Sequence, residues 1–219
     1  MSDNLIPELK SDEEGLYLEG GGLKIRGDFS SMIDRIRPEK LAGELLIKAV
    51  KQKGNETPTV LDATAGMGED SLLLAAWGCK VFLYESDHII ASLLRDAMKK
   101  ADKYPRIGQA VSKMTLFEED SISAMKNLKE PVDVIYLDPM FPERQKSGLI
   151  KKKFQLLQKL EAPCTNEEDL LNAAMAANPS KIVIKRPLKG PFLAGVKPAY
   201  SLKGKAIRYD VILCFSKPV

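Results

Sequence analysis

The segment Asp138-Pro139-Met140-Phe141-Pro142 combines residue types that could act on an amino group attached to an aromatic ring. Such a nitrogen is a poor nucleophile, because its lone pair is delocalised into the ring. The Asp138 carboxylate and the Pro139 carbonyl could accept its two N–H bonds and direct the lone pair towards an electrophile. Phe141 could stack on the ring. The plain alternative is a turn in which the prolines end a strand and Phe141 packs in the core.

The same segment resembles the (D/N)PP(Y/F) motif of amino-group methyltransferases, with Met140 in place of the second proline. In that chemistry, positioning dominates an in-line transfer that needs neither a metal nor a covalent intermediate. A cysteine-based C5 methyltransferase is an alternative, because Pro163-Cys164 resembles the proline–cysteine pair of such enzymes. We interpret Cys164 as structural or incidental, since Asp138 and Phe141 already occupy the catalytic positions.

A glycine-rich turn follows the β-rich run TVLDATA. Gly66 and Gly68 would let the backbone approach a ligand, and the helix predicted after them offers N–H groups. The dinucleotide pattern GxGxxG is incomplete, because position 71 is Ser71. Acids at this turn would repel a pyrophosphate and suit the sulfonium and amino group of S-adenosylmethionine. These acids are Asp62, Glu69 and Asp70. The alternative is that they cap the helix and complement its dipole.

Acids also follow the second and third predicted strands. Glu85 comes roughly twenty residues after the glycine turn, where a carboxylate can bind both hydroxyls of an adenosine ribose. Asp120 and Ser121 are placed to meet the adenine, the carboxylate accepting from its amino group and the backbone donating to its ring. Each acid alone is more consistent with a cap or a surface residue. The conjunction of three strand ends is what predicts a nucleoside-containing cofactor.

The elements that must position these residues alternate regularly along the chain. The strand runs TVLDATA, KVFLYES, MTLFEED, VDVIYLDP and KIVIKRP alternate with helical patterns near residues 70–77, 89–103, 122–128 and 166–177. This alternation predicts an α/β fold with a mainly parallel sheet and helices on both faces, with ligands at the carboxyl ends of the strands. The tail AYSLKGKAIRYDVILCFSKP adds two strands joined at Lys203-Gly204, which makes seven.

Two elements precede this sheet. Residues 16–36 alternate apolar and polar around Gly20-Gly21-Gly22, which predicts a β-hairpin. Pro38 followed by EKLAGELLIKAVKQKG predicts one helix, with proline near its first turn and Gly54 just past its end. We therefore divide the chain into a hairpin extension at residues 1–37 and a cofactor-binding α/β domain at residues 38–219.

Composition restricts the function classes. The apolar fraction of 44% and the charged fraction of 29% in 219 residues are ordinary for a globular protein. Three cysteines without CxxC spacing and a single histidine argue against a disulfide framework, a metal site or a serine hydrolase. No apolar run reaches the ~18 residues of a membrane span. The N-terminus lacks the pattern of a secretory signal. We expect a cytoplasmic protein that uses no metal.

Basic residues are concentrated around the proposed reaction segment. Nine lie between residues 181 and 219, against one acid, and a second cluster lies between residues 144 and 153. Two basic clusters flanking one site favour RNA or DNA as a partner, although a single lysine-rich stretch is equally consistent with a solvated surface. The residues expected to contact phosphates are Arg144, Lys146, Lys185 and Arg186.

Three segments, DATAGMGEDSLLLAAWGCKV, YLDPMFPERQKSGLIKKK and KIVIKRP, resemble the bacterial small-subunit ribosomal RNA guanine-N2 methyltransferase family (RsmJ type). The similarity extends over nearly the whole chain. It implies a class I methyltransferase fold, S-adenosylmethionine as methyl donor, and a guanine near the 3′ end of small-subunit RNA, naked or in the assembled subunit, as target. By position, the resemblance assigns donor binding to Glu69, Asp70, Glu85, Ser86, Asp120, Ser121 and Asp138.

Three other functions remain open. The same motif chemistry would serve adenine N6 in DNA or RNA. A non-catalytic RNA-binding or ribosome-assembly protein could retain a vestigial donor site. An NAD-dependent enzyme could share the fold, but the third glycine and an evident hydride-transfer histidine are missing from this sequence.

Overall fold

Ten strands form two sheets in the computed structural model, which describes residues 7–139 and 166–214. The first sheet contains β1 (Glu8–Asp12), β2 (Gly15–Gly20) and β3 (Leu23–Ile25). The second contains β4 (Val60–Asp62), β5 (Val81–Tyr84), β6 (Met114–Phe117), β7 (Val134–Leu137), β8 (Lys181–Pro187), β9 (Tyr200–Lys203) and β10 (Ile207–Leu213).

The larger sheet has the strand order β6-β5-β4-β7-β8-β10-β9. Strands β4 to β8 pair in parallel, and β10 pairs antiparallel with both β8 and β9. The predicted α/β class and mainly parallel seven-stranded sheet are therefore confirmed. The order reverses between β4 and β7, because β5 and β6 extend the sheet in one direction and β8 continues it in the other. Such a switch point leaves a crevice for ligands at the carboxyl ends of the strands.

Helices cover both faces of the larger sheet. They are α1 (Pro38–Leu41), α2 (Leu45–Val50), α3 (Glu69–Trp77), α4 (His88–Lys99), α5 (Pro105–Val111), α6 (Ser121–Lys126) and α7 (Glu167–Ala176). One apolar core includes side chains of α1 to α5, and a second includes those of α6 and α7. Within residues 7–139 and 166–214, no helix is long and apolar enough to cross a membrane.

The helix predicted to run from Pro38 almost to Gly54 is divided into α1 and α2, so that prediction is wrong. Glu44 adopts extended backbone (φ −64°, ψ 130°) between the two helices. Its carboxylate accepts from Arg35 Nε at 2.7 Å and from Arg35 Nη2 at 3.0 Å, which stabilises the interruption. Helix α2 then ends at Val50, before the predicted terminus.

The helix predicted over residues 89–103 is also shorter than expected. Helix α4 ends at Lys99, and a 3-10 turn at Ala101–Lys103 separates it from α5, which the sequence analysis did not predict. Pro105 explains the break between the 3-10 turn and α5. Proline is favoured in a first helical turn, but it disfavours helical backbone in the preceding residue, and Tyr104 is extended (φ −129°, ψ 104°).

The predicted hairpin is present as β2 and β3, with a turn at Gly21 and Gly22. Both glycines have left-handed backbone (φ 57° and 73°), as tight hairpin turns favour. The hairpin does not extend to residue 36, because Ser30–Met32 form a 3-10 helix. Asp28 initiates that bend by accepting from Ser30 N at 2.8 Å.

The smaller sheet also contains a strand that the sequence analysis missed. Strand β1 pairs antiparallel with β2, which makes the sheet three-stranded. Leu18 and Ile25 from this sheet pack against Leu93 of α4. The backbone N–H of Leu16 also donates to Asp96 Oδ2 of α4 at 3.2 Å. The smaller sheet is thus attached to the helix that follows β5.

Candidate active site

The carboxyl ends of β4 and β7 lie side by side, and hydrogen bonds join the loops that follow them. Ala63 N donates to Tyr136 O at 3.0 Å. Asp138 N donates to Thr64 Oγ1 at 2.7 Å. The first residue of the proposed reaction segment is thereby fixed to the chain that leads into the glycine-rich turn.

Asp138 belongs to a group of four polar side chains in this crevice. Lys185, on β8, donates from Nζ to Asp138 Oδ2 and to Asp70 Oδ2, at 2.7 Å in each case. Tyr136, on β7, donates from its hydroxyl to Asp70 Oδ2 at 2.6 Å. We call Asp70, Tyr136, Asp138 and Lys185 the reaction cluster. It joins the start of α3 to the ends of β7 and β8.

Two carboxylates and one ammonium give the reaction cluster one net negative charge. Burial raises the pKa of Asp138, against the opposing effect of the Lys185 ammonium. Burial also opposes ionisation of Asp70, but there the ammonium and the Tyr136 hydroxyl prevail and the pKa is lowered. Burial disfavours the Lys185 ammonium as well, yet the two carboxylates hold its pKa well above the usual value. A net negative crevice suits a cationic ligand.

Asp62 ends β4 but is enclosed, with 1% of its surface exposed. Its carboxylate accepts from Thr64 N at 3.0 Å and from Ser71 Oγ at 2.6 Å. Burial raises its pKa to about 7, although these two donors act in the opposite direction. The expectation that Asp62 presents a charge to the ligand is corrected, because its oxygens face the turn and α3. It stabilises the shape of the glycine-rich turn.

The glycine-rich turn has backbone that favours glycine at two positions. Gly66 and Gly68 have φ values of 52° and 76°. A Cβ atom on Gly68 would lie 2.6 Å from Leu94 Cδ1 of α4, so the turn packs directly on that helix. Glu69 follows as the first residue of α3 and is exposed. The packing of this turn on α4 therefore leaves no room for a side chain at position 68.

Glu85 follows β5 and contacts the glycine-rich turn. Its carboxylate accepts from Gly66 N at 2.9 Å and from Asp87 N at 2.8 Å, and 9% of the residue is exposed. Burial raises its pKa against the effect of these N–H groups. The structure therefore brings together Gly66 and Glu85, which were predicted to bind one nucleoside from separate segments. Asp87, which the sequence analysis did not single out, caps α4 by accepting from Ile89 N and Ile90 N.

The third strand end is occupied by a helix cap. Asp120 accepts from Ser123 N at 2.8 Å and is the N-cap residue of α6. Asp120 is exposed, whereas Ser121 is 9% exposed. Ser86, after β5, is exposed. The cap interpretation is thus correct for Asp120, and its contact with an adenine stays a prediction.

Lys185 and Arg186 do not form the open phosphate-binding surface expected from the charge pattern. Lys185 is paired with the carboxylates of the reaction cluster. Arg186 is 1% exposed and donates to Pro191 O at 2.9 Å and to Glu167 Oε1 at 3.1 Å. Because a phosphate contact needs an accessible donor, the assignment of Arg186 is corrected. It anchors the loop after β8 to α7.

Several predicted residues lie outside the part of the chain that the structure describes. These are Met140, Phe141, Pro142, Arg144, Lys146 and Cys164.

The candidate site also contains Tyr136 and Thr64, which the sequence alone did not single out. Tyr136 packs near Tyr209 of β10, with ring centroids 6.5 Å apart, and Tyr209 pairs in register with Lys185. One signal was available, because a tyrosine inside an apolar strand needs a partner for its buried hydroxyl. The signal predicts a polar contact without naming Asp70 as the partner.

Known proteins are similar in sequence to most of this chain. A family model described as "Putative SAM-dependent methyltransferase" matches residues 7–214. The chain is 43% identical over 170 residues to "Ribosomal RNA small subunit methyltransferase J" of Nitrosococcus oceani, covering 77% of this chain and 67% of that protein. Identity to the protein of the same name from Pseudomonas fluorescens is 42% over 171 residues, covering 78% and 66%. The alignments thus span about two thirds of these relatives.

Solved structures agree with the sequence comparison. A SAM-dependent methyltransferase from Neisseria gonorrhoeae superposes with a TM-score of 0.79 at 31% identity, covering 100% of this chain and 87% of that chain. This similarity confirms the methyltransferase fold that the resemblance implied. The chain therefore belongs to the SAM-dependent methyltransferase family, in the group whose curated members are named ribosomal RNA small subunit methyltransferase J.

Proposed function

We propose that this chain transfers a methyl group from S-adenosylmethionine to the exocyclic N2 of a guanine in small-subunit ribosomal RNA. The observation that carries the proposal is the position of Asp138. It follows β7 at the switch point of the sheet and is held there by Lys185 and Thr64. The family supports the methyl donor, and the names of the curated relatives support the RNA substrate.

The charges and the relative positions of the described residues support S-adenosylmethionine as the donor. The net negative reaction cluster complements a cationic sulfonium, and the donor supplies an electrophilic methyl carbon when bound. The Glu85 carboxylate lies against Gly66, where it can bind ribose hydroxyls beside the turn. We assign donor binding to Gly66, Gly68, Glu69, Asp70, Glu85, Ser86, Asp120, Ser121 and Asp138.

Asp138 and Pro139 hold the guanine amino group in this mechanism. Lys185 contacts Asp138 at Oδ2, so Oδ1 accepts one N–H of the amino group, while the Pro139 carbonyl accepts the other. Both acceptors favour a pyramidal nitrogen whose lone pair points away from them. The proton that the nitrogen loses can be received at Asp138 Oδ1.

Lys185 favours the ionised form of Asp138, because its ammonium lowers the pKa that burial raises. A protonated Asp138 would present a hydroxyl donor at the position where the amino group needs an acceptor. Lys185 also joins Asp138 to Asp70, so the base side and the donor side of the crevice are fixed relative to each other. Fixed geometry is the main requirement of a direct methyl transfer. Phe141, from the same segment, is assigned to stacking on the extruded guanine.

The substrate test is tritiated methyl transfer to naked small-subunit RNA and to intact small subunits, followed by nucleoside analysis. We expect the label in N2-methylguanosine. In the cell, we place this reaction in the cytoplasm, where ribosomal subunits are found. Label in N6-methyladenosine would overturn the base assignment while preserving the enzyme class. Absence of transfer, together with no S-adenosylmethionine binding in calorimetry, would instead support a non-catalytic RNA-binding protein.

A further inference from the structure

Three exposed lysines lie at the same end of the larger sheet as the reaction cluster. Lys203 and Lys205 flank Gly204 in the turn between β9 and β10, and Lys189 lies in the loop after β8. Strand β8 ends at Pro187, two residues past Lys185. Within the described ranges, none of the three lysines forms an ion pair. We call Lys189, Lys203 and Lys205 the lysine surface.

Hydrogen bonds hold the two segments of the lysine surface together. Leu188 N donates to Ala206 O at 3.0 Å, which connects the loop to the turn. Arg208, which is 5% exposed, donates from Nη1 to Leu188 O at 2.9 Å and to Gly190 O at 3.0 Å. Its guanidinium lies 5.1 Å from the ring centroid of Phe192, which is 37% exposed. The buried arginine therefore shapes the loop, and the lysines remain accessible.

The lining of a cavity of about 250 Å³ includes one residue next to the reaction cluster and one next to the turn of the lysine surface. The cavity is lined by Arg35, Lys40, Gly43, Glu44, Leu45, Ile207 and Tyr209. At one end, Tyr209 pairs in register with Lys185 and packs near Tyr136. At the other, Gly204 lies so close to Leu45 that a Cβ atom would be 3.0 Å from Leu45 Cδ1. Because Pro187 pairs with Ile207 and Lys203 pairs with Arg208, the lysines lie at the same end of the sheet as Asp138.

We propose that the lysine surface binds phosphates of the RNA strand next to the target guanine. The inference rests on the proposed function and adds the location of the RNA backbone. Accessible ammonium groups suit phosphates. Phe192, in the same loop as Lys189, is an exposed aromatic side chain, and single-stranded RNA surfaces combine such side chains with cations. The assignment replaces Arg186, whose guanidinium is buried, with cations that RNA can reach.

The test compares two triple variants that remove the same charge. The first carries Lys189→Gln, Lys203→Gln and Lys205→Gln. The control carries Lys53→Gln, Lys126→Gln and Lys129→Gln, which change three exposed lysines at the amino ends of the strands. Affinity for naked small-subunit RNA is measured against salt concentration, and calorimetry verifies that both variants bind S-adenosylmethionine as the parent protein does.

The first variant should bind RNA roughly tenfold or more weakly, and its salt dependence should be shallower by about 2 in log–log slope, from ~0.7 per phosphate contact. The control should stay within about twofold of the parent. Equal affinities and slopes for the two variants would overturn the proposal. A loss seen with assembled subunits but not with naked RNA would also overturn it, in favour of an acidic protein partner.

The RNA-binding test of the lysine surface can fail or succeed independently of the methyl-transfer test of the proposed function. If the parent protein methylates guanine and the two triple variants bind RNA equally, only the lysine surface is wrong. If the parent methylates no nucleoside but binds RNA through these lysines, the surface is supported and the enzymatic proposal fails.

Discussion

Lys185 donates to Asp138 across 2.7 Å, from the strand next to the one that Asp138 follows. The contact depends on the register of two parallel strands, in which Leu137 pairs with Ile184. Each residue is thereby placed one position past this pair. Burial alone would favour a neutral Asp138, and the ammonium opposes that effect. Lys185 therefore favours the ionised form of Asp138, in which both carboxylate oxygens act only as acceptors.

Replacing Asp138 by alanine should remove most methyl transfer. We expect the single-turnover rate at saturating RNA and donor to fall about 100-fold or more, the scale of losing a positioned proton acceptor. Lys185 would remain paired with Asp70, so the fold should survive. The thermal unfolding midpoint provides the control. A variant with the parent rate would refute the role of Asp138.

Replacing Lys185 by methionine should move the acid limb of the pH–rate profile to higher pH. Without the ammonium, Asp70 and Asp138 repel each other in a buried site, so protonation of the pair becomes easier and its apparent pKa rises. Activity that requires ionised Asp138 is then lost at a higher pH than in the parent. The measurement is kcat/KM against pH. Lys185→Arg should keep the limb near its parental position, and an unshifted limb in the methionine variant would contradict the electrostatic role.

Replacing Asp62 by asparagine should change how stability depends on pH. The pKa of Asp62 is raised from 3.8 to about 7, so the folded protein holds a proton there that the unfolded chain releases. Ionising Asp62 in the folded protein therefore lowers the free energy of unfolding as pH rises from about 4 to about 7. Three pKa units correspond to roughly 4 kcal/mol as an upper bound. Denaturant unfolding is measured at pH 5 and pH 8. The free energy of unfolding of the variant, relative to that of the parent, should be higher at pH 8 than at pH 5. A difference independent of pH would contradict the prediction.

Replacing Gly68 by alanine should weaken both the fold and donor binding. The new Cβ would meet Leu94 Cδ1 at 2.6 Å in addition to the strain of φ 76°. Gly54→Ala is a matched control, because Gly54 has φ 82° and nothing within 4 Å of the added atom. Backbone strain alone costs about 1–3 kcal/mol, so the Gly68 variant should lose more than the control. Chemical denaturation and calorimetry with S-adenosylmethionine provide the measurements, and equal losses would argue against the close packing.

The proximity of the residues proposed to bind the donor was predictable because parallel strands place their carboxyl ends at one edge. Gly66 and Glu85 are nineteen residues apart in sequence yet meet in a hydrogen bond, as the alternating pattern indicated. The positions at which the helices break were harder to predict from the sequence. Pro105 offered a local signal for α5, whereas the break at Glu44 accompanies an ion pair with Arg35, nine residues earlier, that the helical pattern does not reveal.

The functions of the basic residues were not predictable from charge density. Lys185 and Arg186 are neighbours in one basic stretch, but their side chains lie on opposite faces of β8. Lys185 meets two carboxylates from distant parts of the chain, and Arg186 is buried against Glu167. A count of lysines and arginines cannot distinguish cations enclosed in the fold from the accessible cations of the lysine surface.

Three buried side chains between the smaller sheet and α1 determine where the protein can be truncated. Phe29, Met32 and Ile36 precede the proposed boundary at residue 37, yet they are 3%, 4% and 3% exposed and belong to the core beneath α1 to α5. Cutting the chain at that boundary would open apolar surface on the remaining fragment. A truncated version for engineering or grafting therefore needs these three side chains. It should also keep the smaller sheet, because Leu18 and Ile25 of that sheet pack against Leu93 of α4.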